Sequence, residues 1–84
     1  MDPIANLVEQ LLLVQQIQGI EDAFADTGDM STEQTIELAH AAGELATLVK
    51  ALHEWRVRGG FDPFGHFASR HDVYRLAKHH GWKG

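Results

Sequence analysis

Three consecutive residues, Asp26-Thr27-Gly28, match the active-site triplet of aspartic proteases. That chemistry requires two carboxyl groups that share one proton and that are held together on loops of a β-framework. The sequence on both sides of the triplet has helical periodicity instead, and Asp, Thr and Gly together favour a turn. We therefore interpret the triplet as a turn and predict no catalytic residue there.

A second candidate for chemistry is the pair Glu37 and His40, because Glu-x-x-His spacing on a helix occurs in di-iron bundles. In such bundles a carboxylate from another helix joins each pair, and Glu9 or Glu21 is the candidate here. However, Glu37 and His40 lie opposite or beside the leucines of their predicted helix, and a polar face of this kind normally meets water. A metal-binding helical bundle is therefore only the third hypothesis for function.

Most of the histidines lie near the C-terminus of the chain. Imidazole nitrogens bind zinc in tetrahedral sites, but the spacings of five, eight and one between His66, His71, His79 and His80 match no compact zinc finger. The chain has no cysteine, which excludes a thiolate metal site and a disulfide. No Ser/His/Asp set and no glycine-rich phosphate loop occurs either. We predict no metal site, no cofactor and no catalytic residue, and hence a protein that is not an enzyme.

The charges are divided unevenly along the chain. Residues 1–55 carry ten acidic side chains and one lysine, residues 56–84 carry six basic and two acidic side chains, and the net charge is −5. The basic part either serves an anionic partner or folds over the acidic helices of the same chain. Nucleic acid is one such partner, because cationic side chains release counterions from phosphates. A protein that binds a duplex usually presents a more basic face than this chain offers.

The helix that must position many of these residues is predicted over about 32–58. Its apolar residues recur every three or four positions and so form a single stripe. The stripe consists of Leu38, Ala41, Leu45, Leu48, Leu52 and Trp55. Ser31 and Gln34 have the spacing of a capping box, and Gly59-Gly60 ends the helix because glycine adopts the left-handed conformation at low cost.

The first helix, predicted over about 3–24, has apolar residues on two nearly opposite faces. Asp2 and Pro3 supply its N-cap and its first helical position. One face comprises Ile4, Leu7, Val8, Leu11 and Leu12, and the other comprises Leu13, Ile17, Ile20 and Phe24. A helix that is apolar on two sides needs two partners. We predict that one is the second helix, in an antiparallel hairpin, and that the other is the first helix of a second copy. The predicted homodimer interface consists of Leu7, Leu11, Ile17, Ile20 and Phe24.

The C-terminal part is predicted to hold an aromatic loop over 59–68 and a short helix over about 70–80. Three phenylalanines of the loop are expected to anchor this part to the hairpin, namely Phe61, Phe64 and Phe67. Three apolar residues of the helix are predicted to face inward, namely Val73, Leu76 and Ala77. Gly81 ends the helix, and Trp82 is placed to fold back on Leu76 or Ala77 as in a Schellman motif.

These observations predict an all-α protein with a single domain over residues 1–84, in which a long antiparallel hairpin, an aromatic loop and a short C-terminal helix form a dimeric helical bundle. We predict a small non-enzymatic protein-binding module that modulates or inhibits a partner protein, as small bacterial or phage regulators and inhibitors do. The alternative is a nucleic-acid-binding regulator that uses the basic C-terminal helix. The predicted partner-binding residues are Arg70, His71, Tyr74, Arg75 and Lys78. No apolar run has the length of a membrane span and no secretory signal pattern opens the chain, so we expect a cytoplasmic protein without a membrane partner.

Overall fold

The computed structural model describes residues 2–59 and 70–84, with the backbone alone for Arg70 and His71. It contains three α-helices, α1 over Pro3–Thr27, α2 over Thr32–Val57 and α3 over Arg70–His79. The all-α prediction is confirmed, and residues 2–59 and 70–84 contain no β-strand. The aromatic loop predicted over 59–68 lies, apart from Gly59, outside the described residues.

The first two helices begin at the predicted caps. Asp2 is the N-cap of α1, and its Oδ1 accepts hydrogen bonds from the backbone N–H groups of Ile4 at 3.0 Å and Ala5 at 3.2 Å. Ser31 and Gln34 form the capping box of α2, since Ser31 Oγ accepts from the N–H of Gln34 at 3.1 Å and Gln34 Oε1 accepts from the N–H of Ser31 at 3.0 Å. These bonds satisfy N–H groups that have no partner within the helix.

The helix ends differ from the prediction by one to three residues. α1 continues to Thr27, three residues beyond the predicted end, because Gly28 adopts the left-handed conformation with φ 70° and donates to Phe24 O at 2.7 Å. Asp26 and Thr27 are therefore helical, and the interpretation of Asp26-Thr27-Gly28 as a turn is correct only for the glycine. α2 and α3 each end one residue earlier than predicted, at Val57 and His79.

α1 and α2 pack against each other and run in opposite directions. Asn6, Leu13 and Ile20 are buried and lie seven residues apart, which places them on one face of α1. Asn6 Nδ2 donates to Leu48 O at 3.0 Å near one end of the pair, and Gln16 Nε2 donates to Glu37 Oε1 at 2.9 Å nearer the other. On α2, all six residues of the predicted stripe are buried or half-buried. On the other side of α2, seven polar residues are exposed, namely Glu33, Glu37, His40, Glu44, Thr47, Glu54 and Arg58.

The other apolar face of α1 is covered by α3 of the same chain. Val8, Val73 and Ala77 form a buried cluster between the two helices. The half-buried residues packed against this cluster are Ile4, Leu7, Leu11, Leu12 and Trp82. The described residues of α2 and α3 make no contact with each other, so α1 lies between them. The prediction that α1 needs two partners agrees with this arrangement. The predicted dimer interface drew on both apolar faces, and α3 covers the face that carries Leu7 and Leu11.

One residue of α3 does not face inward as predicted. Leu76 is 38% exposed, whereas Val73 and Ala77 are 3% and 0% exposed. α3 packs against a single helix, so its buried stripe is narrow and is filled by two residues that lie four positions apart. Around the helix axis Leu76 projects about 100° from Ala77 and about 60° from Val73, so it lies at the edge of that stripe.

Candidate protein-binding surface

The C-terminal end of α3 is closed by a Schellman motif. Gly81 has a φ of 103°, its N–H donates to Lys78 O at 3.1 Å, and the N–H of Trp82 donates to Ala77 O at 2.9 Å. This pair of bonds defines the motif and turns the chain back toward the helix. The predicted return of Trp82 is confirmed, because its side chain packs against the Val8, Val73 and Ala77 cluster.

The side chain of Gln15 on α1 makes two hydrogen bonds to the residues that follow α3. Its Nε2 donates to Gly81 O at 3.1 Å, and its Oε1 accepts from the N–H of Lys83 at 2.6 Å. The amide of Gln15 thus bonds on both sides of Trp82 and fixes the backbone that carries the indole ring.

An aromatic stack forms where α3 ends. The rings of Tyr74 and Trp82 are stacked, with centroids 5.3 Å apart and an angle of 14° between their planes. Trp82 is half-buried, whereas Tyr74 is 43% exposed. Stacked aromatic pairs of this geometry contribute about 0.5–1.5 kcal/mol beyond the area they bury. The exposed tyrosine ring is therefore held by a neighbour that is itself held by the core.

Two cations accompany the stack on the exposed side of α3. Lys78 lies four positions after Tyr74 on the helix, which makes the two side chains neighbours. Arg75 Nη2 contacts Asp72 Oδ1 at 3.0 Å, while 73% of the Arg75 side chain remains exposed. An exposed pair of this kind contributes only about 0–1 kcal/mol of stability, but it orients the guanidinium group. We call Tyr74, Arg75, Lys78 and Trp82 the α3 surface.

No protein-family model, curated protein or solved structure matches this chain. Among the described helices, none combines the length and the apolar character that crossing a membrane requires.

Three of the five predicted partner-binding residues, Tyr74, Arg75 and Lys78, lie together on the exposed side of α3. Arg70 and His71 belong to the first turn of α3, and their side chains lie outside the described residues. Sequence analysis missed the Tyr74–Trp82 stack and the Asp72 pair. The spacing of Asp72 and Arg75, three positions apart on a helix, was a usable signal for the pair.

The predicted dimer-interface residues are distributed over several environments. Leu7 and Leu11 pack beside the cluster that α3 covers, and Ile20 is buried. Ile17 is half-buried and lines a groove between α1 and α2, and Phe24 remains 46% exposed. The homodimer stays a prediction, with Ile17 and Phe24 as the members of this set that offer accessible apolar surface.

Only two residues of the metal hypothesis, Glu9 and His40, line the same groove. Glu44 also lines this shallow groove, and Glu37 Oε1 accepts a hydrogen bond from Gln16. Within residues 2–59 and 72–84, no group of three or more His, Cys, Asp or Glu side chains is arranged to hold a metal ion.

Proposed function

We propose that this chain is a small non-enzymatic module that binds a partner protein through the α3 surface and thereby modulates or inhibits that partner in the cytoplasm. The observation that supports this proposal is the Tyr74–Trp82 stack with Arg75 and Lys78 beside it. Tyr, Trp and Arg are the residue types most enriched among those that dominate protein–protein binding energies.

The stack is also preorganised. Trp82 is fixed by the cluster beneath it, by the Schellman motif and by the two bonds from Gln15. Ordering a mobile side chain at an interface costs about 0.5–1.5 kcal/mol. Because Tyr74 is already stacked, little of this ordering cost remains to be met on binding, which favours affinity for a partner.

The charges of the chain indicate the kind of partner. Residues 1–55 carry ten acidic side chains and one lysine, whereas α3 presents Arg75 and Lys78. An acidic surface on a partner is repelled by the first two helices and attracted by α3, so long-range electrostatics direct it to the α3 surface. We therefore propose a partner with an acidic patch that surrounds an apolar contact for Tyr74.

A nucleic-acid-binding regulator is the alternative, because a half-exposed Tyr74 beside Lys78 is also a means of stacking on a base and binding a phosphate. One feature favours the protein partner. One face of the Tyr74 ring is already covered by Trp82, which leaves less of the ring for a base to stack on.

Matched charge reversals test the proposal. Lys78→Glu changes the α3 surface, whereas Arg58→Glu reverses an exposed cation at the end of α2. A partner captured from the native host and then purified should bind wild type and Arg58→Glu equally, and should bind Lys78→Glu at least about tenfold more weakly. Tyr74→Ala should cause a loss of similar size, with the helical circular dichroism signal retained.

The same proteins should be titrated with a labelled DNA duplex and with a labelled single strand at physiological salt. We expect no measurable binding. Wild type could instead bind the duplex or the single strand tightly and with strong salt dependence, while Lys78→Glu does not. In that case the protein-binding proposal is wrong and the nucleic-acid-binding alternative replaces it.

A further inference from the structure

An apolar groove runs between α1 and α2. Two open depressions of about 550 and 460 Å³ share Val49 and His53 and so form one continuous groove, which we call the α1–α2 groove. Its apolar lining consists of Ile17 from α1 and of Ala42, Leu45, Ala46, Val49, Leu52 and Val57 from α2. Val49 is 49% exposed although it lies in the middle of this apolar lining.

The centre of the groove is lined by small side chains. Ala42 and Ala46 are one turn apart on α2 and are exposed, so no large side chain stands between the α2 backbone and a neighbour. Helices pack with their axes about 8–10 Å apart, and the shorter distances require small residues at the contact. Val49 follows Ala46 by three positions, so it lies on the same side of α2. Its half-exposed side chain supplies apolar area to the same neighbour.

The charges around the groove are ordered along its length. All three of its basic or imidazole residues, Lys50, His53 and Arg56, lie in the C-terminal half of α2. The segment from Glu21 to Asp29, at the opposite end of the antiparallel pair, carries four acidic side chains and no cation. Glu21 follows Ile17 by one turn and so lies on the groove side of α1.

We infer that a second copy of this chain binds in the α1–α2 groove in the antiparallel sense, with a two-fold axis near Ala46. The two-fold operation brings the Lys50–Arg56 end of each copy over the Glu21 end of the other, so opposite charges meet twice. A parallel arrangement would bring like charges together at both ends. The contact is isologous, which is the commonest symmetry of soluble dimers.

This interface differs from the one that the sequence predicted. It retains Ile17, and it places Phe24 at the rim, because Phe24 follows Ile17 by seven positions on the same face of α1. It uses no residue of the α3 surface, so it stands or falls independently of the proposed function.

Two variants of α2 with matched exposure test the inference. Val49→Glu introduces a charge in the groove, and Ile36→Glu introduces one at a residue that is 53% exposed and lies outside the groove. In sedimentation equilibrium from micromolar to millimolar concentration, we expect a dimer for wild type and for Ile36→Glu. Val49→Glu should raise the dissociation constant by at least about tenfold, since it buries an unpaired charge, and added salt should weaken the wild-type dimer.

A crosslink tests the position of the axis. Because the chain has no cysteine, Ala46→Cys introduces a single thiol that meets its own copy at the two-fold axis, within the reach of a disulfide of about 4.4–6.8 Å between Cα atoms. Thr47→Cys, one position further along α2, turns the thiol away. Mild oxidation should join the copies of Ala46→Cys and not those of Thr47→Cys. A wild-type monomer at millimolar concentration, equal effects of the two glutamate variants, or equal crosslinking of the two cysteine variants would overturn the inference.

Discussion

Two amide side chains on α1 make bonds that join the three helices. Asn6 is buried, with Nδ2 donating to Leu48 O of α2 and Oδ1 accepting from Gln10 Nε2 at 2.6 Å. Gln15 bonds the segment that follows α3. A buried amide that has lost its partner costs about 1–3 kcal/mol, so the Asn6 bond favours this arrangement of α1 and α2 over its alternatives.

The role of Gln15 gives a prediction at this scale. Gln15→Leu keeps the size of the side chain and removes both hydrogen bonds, each of which contributes about 0.5–1.5 kcal/mol net. We expect the Lys83 amide to lose its protection in hydrogen-exchange NMR and the melting temperature to fall. Gln18→Leu changes an exposed glutamine on the same helix and should alter neither quantity. Full protection of the Lys83 amide in Gln15→Leu would show that the two Gln15 hydrogen bonds are not needed to order this segment.

At the scale of the elements, glycine has different roles at the end of a helix and inside one. Gly81 has a φ of 103°, which strains any residue with a Cβ, whereas Gly43 lies within α2 and an added Cβ there meets nothing within 4 Å. The same change, glycine to alanine, should therefore have opposite effects at the two positions.

Gly81→Ala should lower the free energy of unfolding by about 1–2 kcal/mol, because the alanine must adopt the left-handed conformation. The variant should also lose the Tyr74–Trp82 stack, which near-ultraviolet circular dichroism detects. Gly43→Ala should raise the free energy of unfolding by about 0.5–1 kcal/mol, since alanine is the better helix former. Urea titration measures both values, and a stabilised Gly81→Ala would contradict the Schellman geometry.

The sequence predicts local features of this fold well, because they depend on residues close together in the chain. The caps at Asp2 and Ser31, the return of Trp82 and the buried stripe of α2 all depend on spacings of two to five residues. Similar spacing predicted that Tyr74, Arg75 and Lys78 would share one exposed side of α3. The stack that holds Tyr74 follows only when the geometry of the Schellman motif is known.

Contacts between distant parts of the chain were not predictable in the same way. Periodicity shows that α1 has two apolar faces, but it does not show what covers each one, and α3 and a second copy satisfy the pattern equally. The Gln15 bonds connect residues more than sixty positions apart. Leu76 was assigned to the core because its residue type is apolar, and the narrow contact of α3 with a single helix leaves it exposed.

At the scale of the whole molecule, α1 is the helix on which the other two depend. Each of α2 and α3 packs on its own face of α1, and their described residues do not meet. The buried cluster of α3 is small, since it rests on Val73 and Ala77 against Val8. A single change in that cluster should therefore detach α3 and leave the α1–α2 pair assembled.

Adjacent positions of α3 provide the test. Ala77→Asp places an unpaired charge at a residue that is 0% exposed, at a cost of about 3–5 kcal/mol, whereas Leu76→Asp places the same charge at a 38% exposed neighbour. We expect Ala77→Asp to release α3 and expose Leu7 and Leu11, with increased binding of a hydrophobic dye, a lower melting temperature and association beyond the wild-type dimer in light scattering. Leu76→Asp should behave as wild type in all three measurements. The face that α3 covers supplies Leu7 and Leu11 of the predicted dimer interface, so association of Ala77→Asp beyond the wild-type dimer would show that α3 shields an adhesive surface. Equal behaviour of the two variants would mean that α3 does not depend on the Val8 cluster for its position.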